Sequence, residues 1–199
     1  MSRDDDADLE RMARLIDGDD SALDELMRRW QKPLLSFILR YVGNEIDSVE
    51  IAQEAFVRVY HNRHRFNFKS KFSTWLFTIG VNLCRNHARW RDRHPTIPLE
   101  SVQQTDKHSQ QDFAVSREET PSHLIERSEL ARQVREAIEE LPHELKTAVL
   151  LHEYENLSYD EIGKVLGCTQ KAVETRLYRA RKLLRKKLAE IYLTDKDAE

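Results

Sequence analysis

Residues 156–188, NLSYDEIGKVLGCTQKAVETRLYRARKLLRKKL, decide how this chain folds. They read as a short helix, a tight turn and a longer basic helix. Ser158 is a good N-cap, and Glu161 three residues later can reach back to it, the arrangement of a capping box. Ile162, Val165 and Leu166 give the first helix one apolar face. Gly167 and Cys168 make the turn, because glycine accepts the left-handed backbone that ends a helix. Thr169 caps the second helix. In that helix Val173, Leu177, Ala180, Leu184 and Leu188 recur at helical spacing, while Lys171, Arg176, Arg179, Arg181, Lys182, Arg185, Lys186 and Lys187 fill the other face. A short helix braced against a longer cationic one is the helix-turn-helix arrangement, whose second helix enters a DNA major groove. An ordinary antiparallel helix pair can also have a solvated basic face. Cap, turn and stripe agreeing with one another favour the helix-turn-helix.

The whole-chain charge hides this basic helix. The chain has 199 residues, 34% of them charged, with a net charge of −3. A pI near 6.3 taken alone argues against nucleic acid. Residues 1–60 hold 14 acidic side chains against 8 Lys and Arg, but residues 61–93 hold 8 Lys and Arg against the single acid Asp92. Phosphate binding responds to the local patch rather than the total, because the ions released are those near the contacts. Cys84 and Cys168 have no CxxC partner, which suits a reducing cytoplasm. No run is apolar enough to span a membrane, and no charged-apolar-small signal opens the chain. Glycine is scarce, at 5 residues, and strand-like alternation is absent, so the expected fold is all-α.

Upstream, residues 1–8 are acidic and expected to fray. A helix runs from Leu9 to Ile16, and another starts at Ser21 with Leu23, Leu26, Met27 and Trp30 on one face. Pro33 marks a bend or an early position of a further run ending at Gly43–Asn44. Asp47 to Tyr60 is strongly amphipathic, with Asp47 or Ser48 as its cap. Its outer face is acidic and polar, formed by Asp47, Glu50, Gln53 and Glu54, and by pattern alone such a face is simply solvated. Arg63 to Lys71, RHRFNFKSK, interleaves cations with Phe66 and Phe68. Such a loop suits unpaired bases, which offer a stacking face beside a phosphate; equally, the two rings can tuck the loop onto a core. A helix from Ser73 to Arg93, capped by Ser73 or Thr74, has Asn82, Arg85, Asn86, Arg89 and Arg93 on its polar side, a plausible nucleic-acid surface. Trp75 fits its core face.

Residues 95–120 lose periodicity and have the composition of a flexible linker, too long for a connection inside one compact domain. The expected organisation is therefore two small helical domains, 1–94 and 121–190, joined by that linker and ending in a tail at 191–199. In the second domain Leu130, Val134, Ala137, Ile138 and Leu141 mark a long helix, Pro142 stops it, and Leu145, Ala148, Val149 and Leu151 mark the next. His61, His64, Cys84 and His87 lack paired metal-ligand spacing, so no metal is expected. No phosphate-cradling glycine loop and no nucleophile elbow is present, so no cofactor and no catalytic residue are expected.

Two separated blocks carry a resemblance. DSVEIAQEAFVRVY with FKSKFSTWLFTIGVNLCRNHARWR resembles region 2 of bacterial RNA polymerase sigma factors of the extracytoplasmic-function group, within the sigma-70 family. ELPHELKTAVLLHEYENLSYDEIGKVLGCTQKAVETRLYRARKLL resembles region 4 of the same group. Both blocks in this order, with a linker and no third domain between them, make the likeness specific. It implies a non-enzymatic, cytoplasmic factor that binds core RNA polymerase and directs initiation at promoters.

By the same resemblance, Asp47, Gln53 and Glu54 dock on the clamp helices of the largest polymerase subunit. Phe66, Phe68, Lys69, Lys71, Asn82, Arg85 and Arg89 meet the −10 element, where the duplex opens and a base is flipped; Asn82 and the loop read the base while Lys69, Lys71, Arg85 and Arg89 hold phosphates. Gln170, Lys171, Glu174, Thr175, Tyr178 and Arg179 meet the −35 element. Glu174 departs from the basic residue common there; a carboxylate accepts from cytosine but repels phosphate. The group also implies an anti-sigma partner. Two other readings compete: a helix-turn-helix regulator with a sensing or dimerising front domain, and an enzyme with a DNA-binding tail. The basic, aromatic stretch at 61–93 argues against the first and the missing motifs against the second.

Overall fold

The computed structural model describes residues 3–94 and 121–196, and within them every regular element is a helix. The linker expected at 95–120 lies outside the described residues. The first body holds α1 (Arg3–Ile16), α2 (Ser21–Val42), α3 (Glu45–His61), a short 3-10 turn (Arg63–Arg65) and α4 (Phe72–Arg93). The second holds α5 (Pro121–Glu139), α6 (His143–Glu153), α7 (Tyr159–Leu166) and α8 (Gln170–Lys196). This is the all-α, two-domain architecture expected. Helix α8 runs past the 190 boundary.

Around the first core, Met12, Leu15, Leu26, Leu34, Phe37, Ile38, Phe72 and Phe77 are fully or almost fully buried. Phe77 meets Phe37 edge-on at 5.4 Å and Trp30 at 6.4 Å, arrangements aromatic rings prefer to a face-to-face sandwich. The chain stays helical through Pro33, so the two runs read around it are the single helix α2.

Three expectations about helix starts need correction. The acidic N-terminus does not fray before Asp8: α1 begins at Arg3, and Asp8 is buried, where it accepts from Trp30 Nε1 at 2.9 Å and from Arg11 at 3.2 Å. Burial raises the Asp8 carboxyl above its ordinary range despite these donors and the nearby Arg29. The cap of α3 is Asn44, whose side chain accepts from the Asp47 backbone N–H at 2.9 Å; Ser48 is buried inside the helix. Helix α4 begins one residue before Ser73, with Lys71 at the cap position making no capping bond, and Thr74 is buried. For α1 and α4 tertiary packing sets the boundary, whereas α3 is set by a local cap three residues earlier than Asp47.

The second body matches the sequence more closely. Ser158 and Glu161 form the full capping box, with the Ser158 backbone N–H donating to Glu161 Oε2 at 2.8 Å. Gly167 ends α7 at φ 64°, and Thr169 Oγ1 accepts from the Ala172 N–H at 3.2 Å. Ile162, Val165, Val173, Leu177 and Ala180 are buried together with Leu150 and Leu151 of α6. Gly163 has a further role: a Cβ there would stand 2.8 Å from the Cys168 carbonyl oxygen, so its missing side chain lets the turn fold back on α7.

The two bodies pack on one another. Helix α7 lies along α4, and α5 and α6 touch α2.

Candidate nucleic-acid interface

Helix α8 turns the face that carries the −35 candidates outward. Tyr178 is 69% exposed, and Gln170, Lys171, Glu174, Thr175 and Arg179 are exposed beside it, so all six −35 candidates share one open face. Lys171 Nζ lies 2.8 Å from Glu174 Oε2, placing a cation against the carboxylate that departs from the expected basic residue. The Thr175 hydroxyl donates to the Lys171 carbonyl at 2.9 Å. Not every cation of this helix is presented outward. Arg176 donates to Cys168 Sγ at 3.0 Å and to Glu144 at 2.7 Å, and Arg181 donates to Glu153 at 3.0 Å. These arginines tie α8 to the turn and to α6.

The loop between α3 and α4 separates its two phenylalanines. Phe66 is 7% exposed and packs 5.1 Å from Trp75, in a group with Phe72 and Phe68. Its ring is a core ring in this conformation, not one offered to a base. Phe68 is 46% exposed. The reason is a tight turn: Asn67 Oδ1 accepts from the Lys69 N–H at 3.0 Å and the Asn67 carbonyl accepts from Ser70 N–H at 2.9 Å, so Phe68 and Lys69 project from its tip. Trp75 is half-buried against the core, where the sequence placed it.

On α4, Asn82 and Arg89 are exposed, while Arg85 is half-buried. Arg85 Nε donates to His143 Nε2 of α6 at 3.0 Å. Lys71 is likewise engaged, with its Nζ 3.0 Å from Asp5 Oδ2 of α1 and 3.0 Å from Glu161 Oε1 of α7. Those two carboxylates hold the Lys71 ammonium above its ordinary pKa. The seven −10 candidates are therefore not one open surface. Phe68, Lys69, Asn82 and Arg89 face solvent, Phe66 is core, and Lys71 and Arg85 are drawn into the seam between the bodies.

On the outer face of α3, Gln53 and Glu54 are exposed, and Glu54 is paired with Arg58 at 2.7 Å. Asp47 is half-buried and lies 3.3 Å from His87 Nε2 of α4. Sequence reading passed over Ile46 and Val57, which are 72% and 47% exposed, and the exposed Val49 on the same helix. The available signal was three apolar residues falling off the core stripe, since an exposed apolar patch on a small domain marks an interface. It gave no site role to Arg63, which lies 4.3 Å from the Tyr60 ring, or to the exposed Trp90 near the basic end of α4.

Among the described residues no cluster of His, Cys, Asp or Glu could hold a metal ion, and no helix is long and apolar enough to cross a membrane. Cys84 is buried, which pushes its thiol up to about 12 and leaves it unreactive.

Comparison with known proteins places the two bodies side by side with known modules. Residues 26–94 match the family model for sigma-70 region 2, and residues 131–184 match that for sigma-70 region 4. The chain is 35% identical to the RNA polymerase sigma-H factor of Pseudomonas aeruginosa, over 91% of this chain and 93% of that protein. It is 34% identical to the ECF RNA polymerase sigma-E factor of Haemophilus influenzae, over 88% and 92% of the respective chains. Among solved structures, CnrH in complex with the cytosolic domain of CnrY matches with a TM-score of 0.68 and 26% identity, covering 92% of this chain and 98% of that one.

Proposed function

The chain belongs to the sigma-70 family, as an extracytoplasmic-function sigma factor directing promoter-specific initiation by RNA polymerase, and from that premise we propose how its residues divide the work. The outward face of α8 reads the −35 duplex through Gln170, Lys171, Glu174, Thr175, Tyr178 and Arg179. The loop tip and α4 meet the −10 element: Phe68 stacks on an unpaired base, Asn82 reads it, and Lys69, Lys71, Arg85 and Arg89 hold phosphates. Phe66 supports Phe68 from beneath. Stacking on the separated strand offsets the few kcal/mol that unstacking costs.

The exposed face of α3, with Gln53, Glu54 and the apolar Ile46, Val49 and Val57, docks on core polymerase, joined by Asp47 once it leaves His87. The polymerase supplies the nucleotidyl chemistry, so this chain needs no catalytic residue and no cofactor and acts where the polymerase is, in the cytoplasm. Capture by an anti-sigma protein fits the likeness to CnrH, which is solved with the cytosolic domain of CnrY.

The observation that carries this reading is the open face of α8 together with the exposed Phe68, Lys69, Asn82 and Arg89 on the other body. The test adds the purified chain to core polymerase on a template library. Promoter-specific transcripts without an activator are expected; tight operator binding with no effect on polymerase would instead favour a stand-alone regulator. Arg179→Ala is expected to cost about 1–3 kcal/mol at one −35 position if it contacts a base edge. An unchanged −35 footprint would remove it from the interface.

A further inference from the structure

Glu174 is the single acid between residues 170 and 189 of α8, among eight Lys and Arg. It stands on the second turn of the helix and Lys171 on the first; the opening turns of a recognition helix are those that reach base edges. Glu174 is 55% and Lys171 80% exposed, and Lys171 Nζ lies 2.8 Å from Glu174 Oε2. Arg176 and Arg181 are tied to Glu144 and Glu153 of α6 and do not compete for this carboxylate. A carboxylate on this face repels the phosphates that flank a groove, so Glu174 gains nothing from the DNA backbone. Base edges are different. In the major groove only cytosine and adenine offer an amino group that a carboxylate can accept from. Glu174 therefore has a partner in one of those two bases, and Lys171 arrives with it.

We propose that Lys171 and Glu174 act as one unit that reads a single C·G pair of the −35 element, the carboxylate on cytosine and the ammonium on guanine. The inference rests on the reading of α8 as the helix that meets that element. The hydrogen bonds close into a ring. Cytosine N4 gives one proton to guanine O6 within the base pair and has a second free in the groove, which Glu174 accepts. Lys171 has three protons: one stays on Glu174 and another goes to guanine O6 or N7. N4 and O6 are about 2.9 Å apart, the length of an ordinary N–H···O bond, and the ammonium and carboxylate are 2.8 Å apart. The two edges match, so the ion pair need not break to bind. An A·T pair fits worse at both ends. The carboxylate at adenine N6 meets the neighbouring N7 lone pair, and the ammonium at thymine O4 meets the C5 methyl group. A G·C pair reverses donor and acceptor, whereas the order of Lys171 and Glu174 along α8 is fixed. Lys171 also offsets the charge that Glu174 brings among the phosphates.

The test uses the full chain on core polymerase and a promoter library randomised across the −35 element, with transcripts counted by sequencing. Wild type is expected to favour C·G about tenfold over A·T at one position, within the discrimination that one good match of side chains to a base pair supplies. Glu174→Gln, whose amide suits adenine N6 and N7, is expected to move that position to A·T. Lys171→Ala is expected to lower the C·G preference at the same position. Preferences at the other −35 positions check the fold, since an unfolded variant flattens all of them. Unchanged profiles in both variants would leave the two side chains a solvated ion pair and overturn the proposal. Changes at two different positions overturn the unit, because each residue then reads its own base. A wild-type profile flat across the whole element, with Arg179→Ala flat as well, overturns the reading of α8 itself and this pair with it.

Discussion

Gly163 shows how much one absent side chain decides. The turn between α7 and α8 folds back until the Cys168 carbonyl comes within 2.8 Å of where a Cβ would be, and that neighbour is backbone, which cannot swing aside. Gly163→Ala is therefore expected to cost about 1–3 kcal/mol, the usual penalty for overpacking. For a body of this size, thermal denaturation should report a fall in Tm of ~4 °C or more. An unchanged midpoint would mean that the turn relaxes freely. Periodicity could not have singled out Gly163, since nothing in the sequence says how closely a later carbonyl returns. Gly167, by contrast, was legible because the end of a helix needs a left-handed residue and glycine is the one that supplies it at no cost. Arg176 and Arg181 were legible as cations but not as braces; the partners that claim them, Glu144 and Glu153, lie on another helix.

At the scale of elements, the loop from Asn62 to Lys71 and the helix after it divide structural from functional rings. Phe66 is held among Trp75, Phe72 and Phe68, whereas Phe68 stands at the turn tip. Phe66→Ala is expected to destabilise the first body by about 3–5 kcal/mol, the range for emptying a buried aromatic site. Phe68→Ala should leave unfolding nearly unchanged and weaken strand opening by about 1–3 kcal/mol, the worth of one base stacked on an aromatic ring. Permanganate reactivity at the −10 element and chemical denaturation of the free chain measure the two effects separately. If both variants lose stability alike, Phe68 is core as well. Sequence could state this choice but not make it, because two phenylalanines one residue apart point to different sides whichever is buried. Where the helices begin was similarly underdetermined. The acids of α1 read as a fraying tail, yet Asp8 is drawn inside by Trp30 and Arg11, partners distant or differently placed in ways that local pattern does not record.

At the scale of the whole molecule, the sequence predicted two bodies but not their contact, because the polar pairs across the seam, Lys71 with Glu161 and Arg85 with His143, join residues that no local pattern relates. Two of its groups titrate with opposite signs. His143 is held below the ordinary histidine pKa by burial and by Arg85, Arg89 and Lys146, with Glu144 opposing. Its contribution to stability is complete above about pH 6.5 and is lost as pH falls toward the depressed value. Glu155, half-buried on the α6–α7 connection and facing Arg40, is pushed up to about 7 by burial, only partly offset by that arginine. A carboxyl raised in the folded state binds more protons there than in the unfolded chain, so stability falls as pH rises from about 4.5 to about 7 and stays lower above. The two slopes oppose one another just below about pH 6.5, where both groups are titrating. Glu155→Gln removes one of them. The variant should match wild type in Tm near pH 4.5, gain as pH rises, and level off above pH 7 at about 1–2 kcal/mol, well under the full 1.36 kcal/mol per pKa unit because solvent screens the group in part. A pH series of calorimetric scans reads this directly. A gain of equal size at pH 4.5 and pH 8 would assign the effect to packing of the amide and leave the carboxyl charge with no cost to the fold.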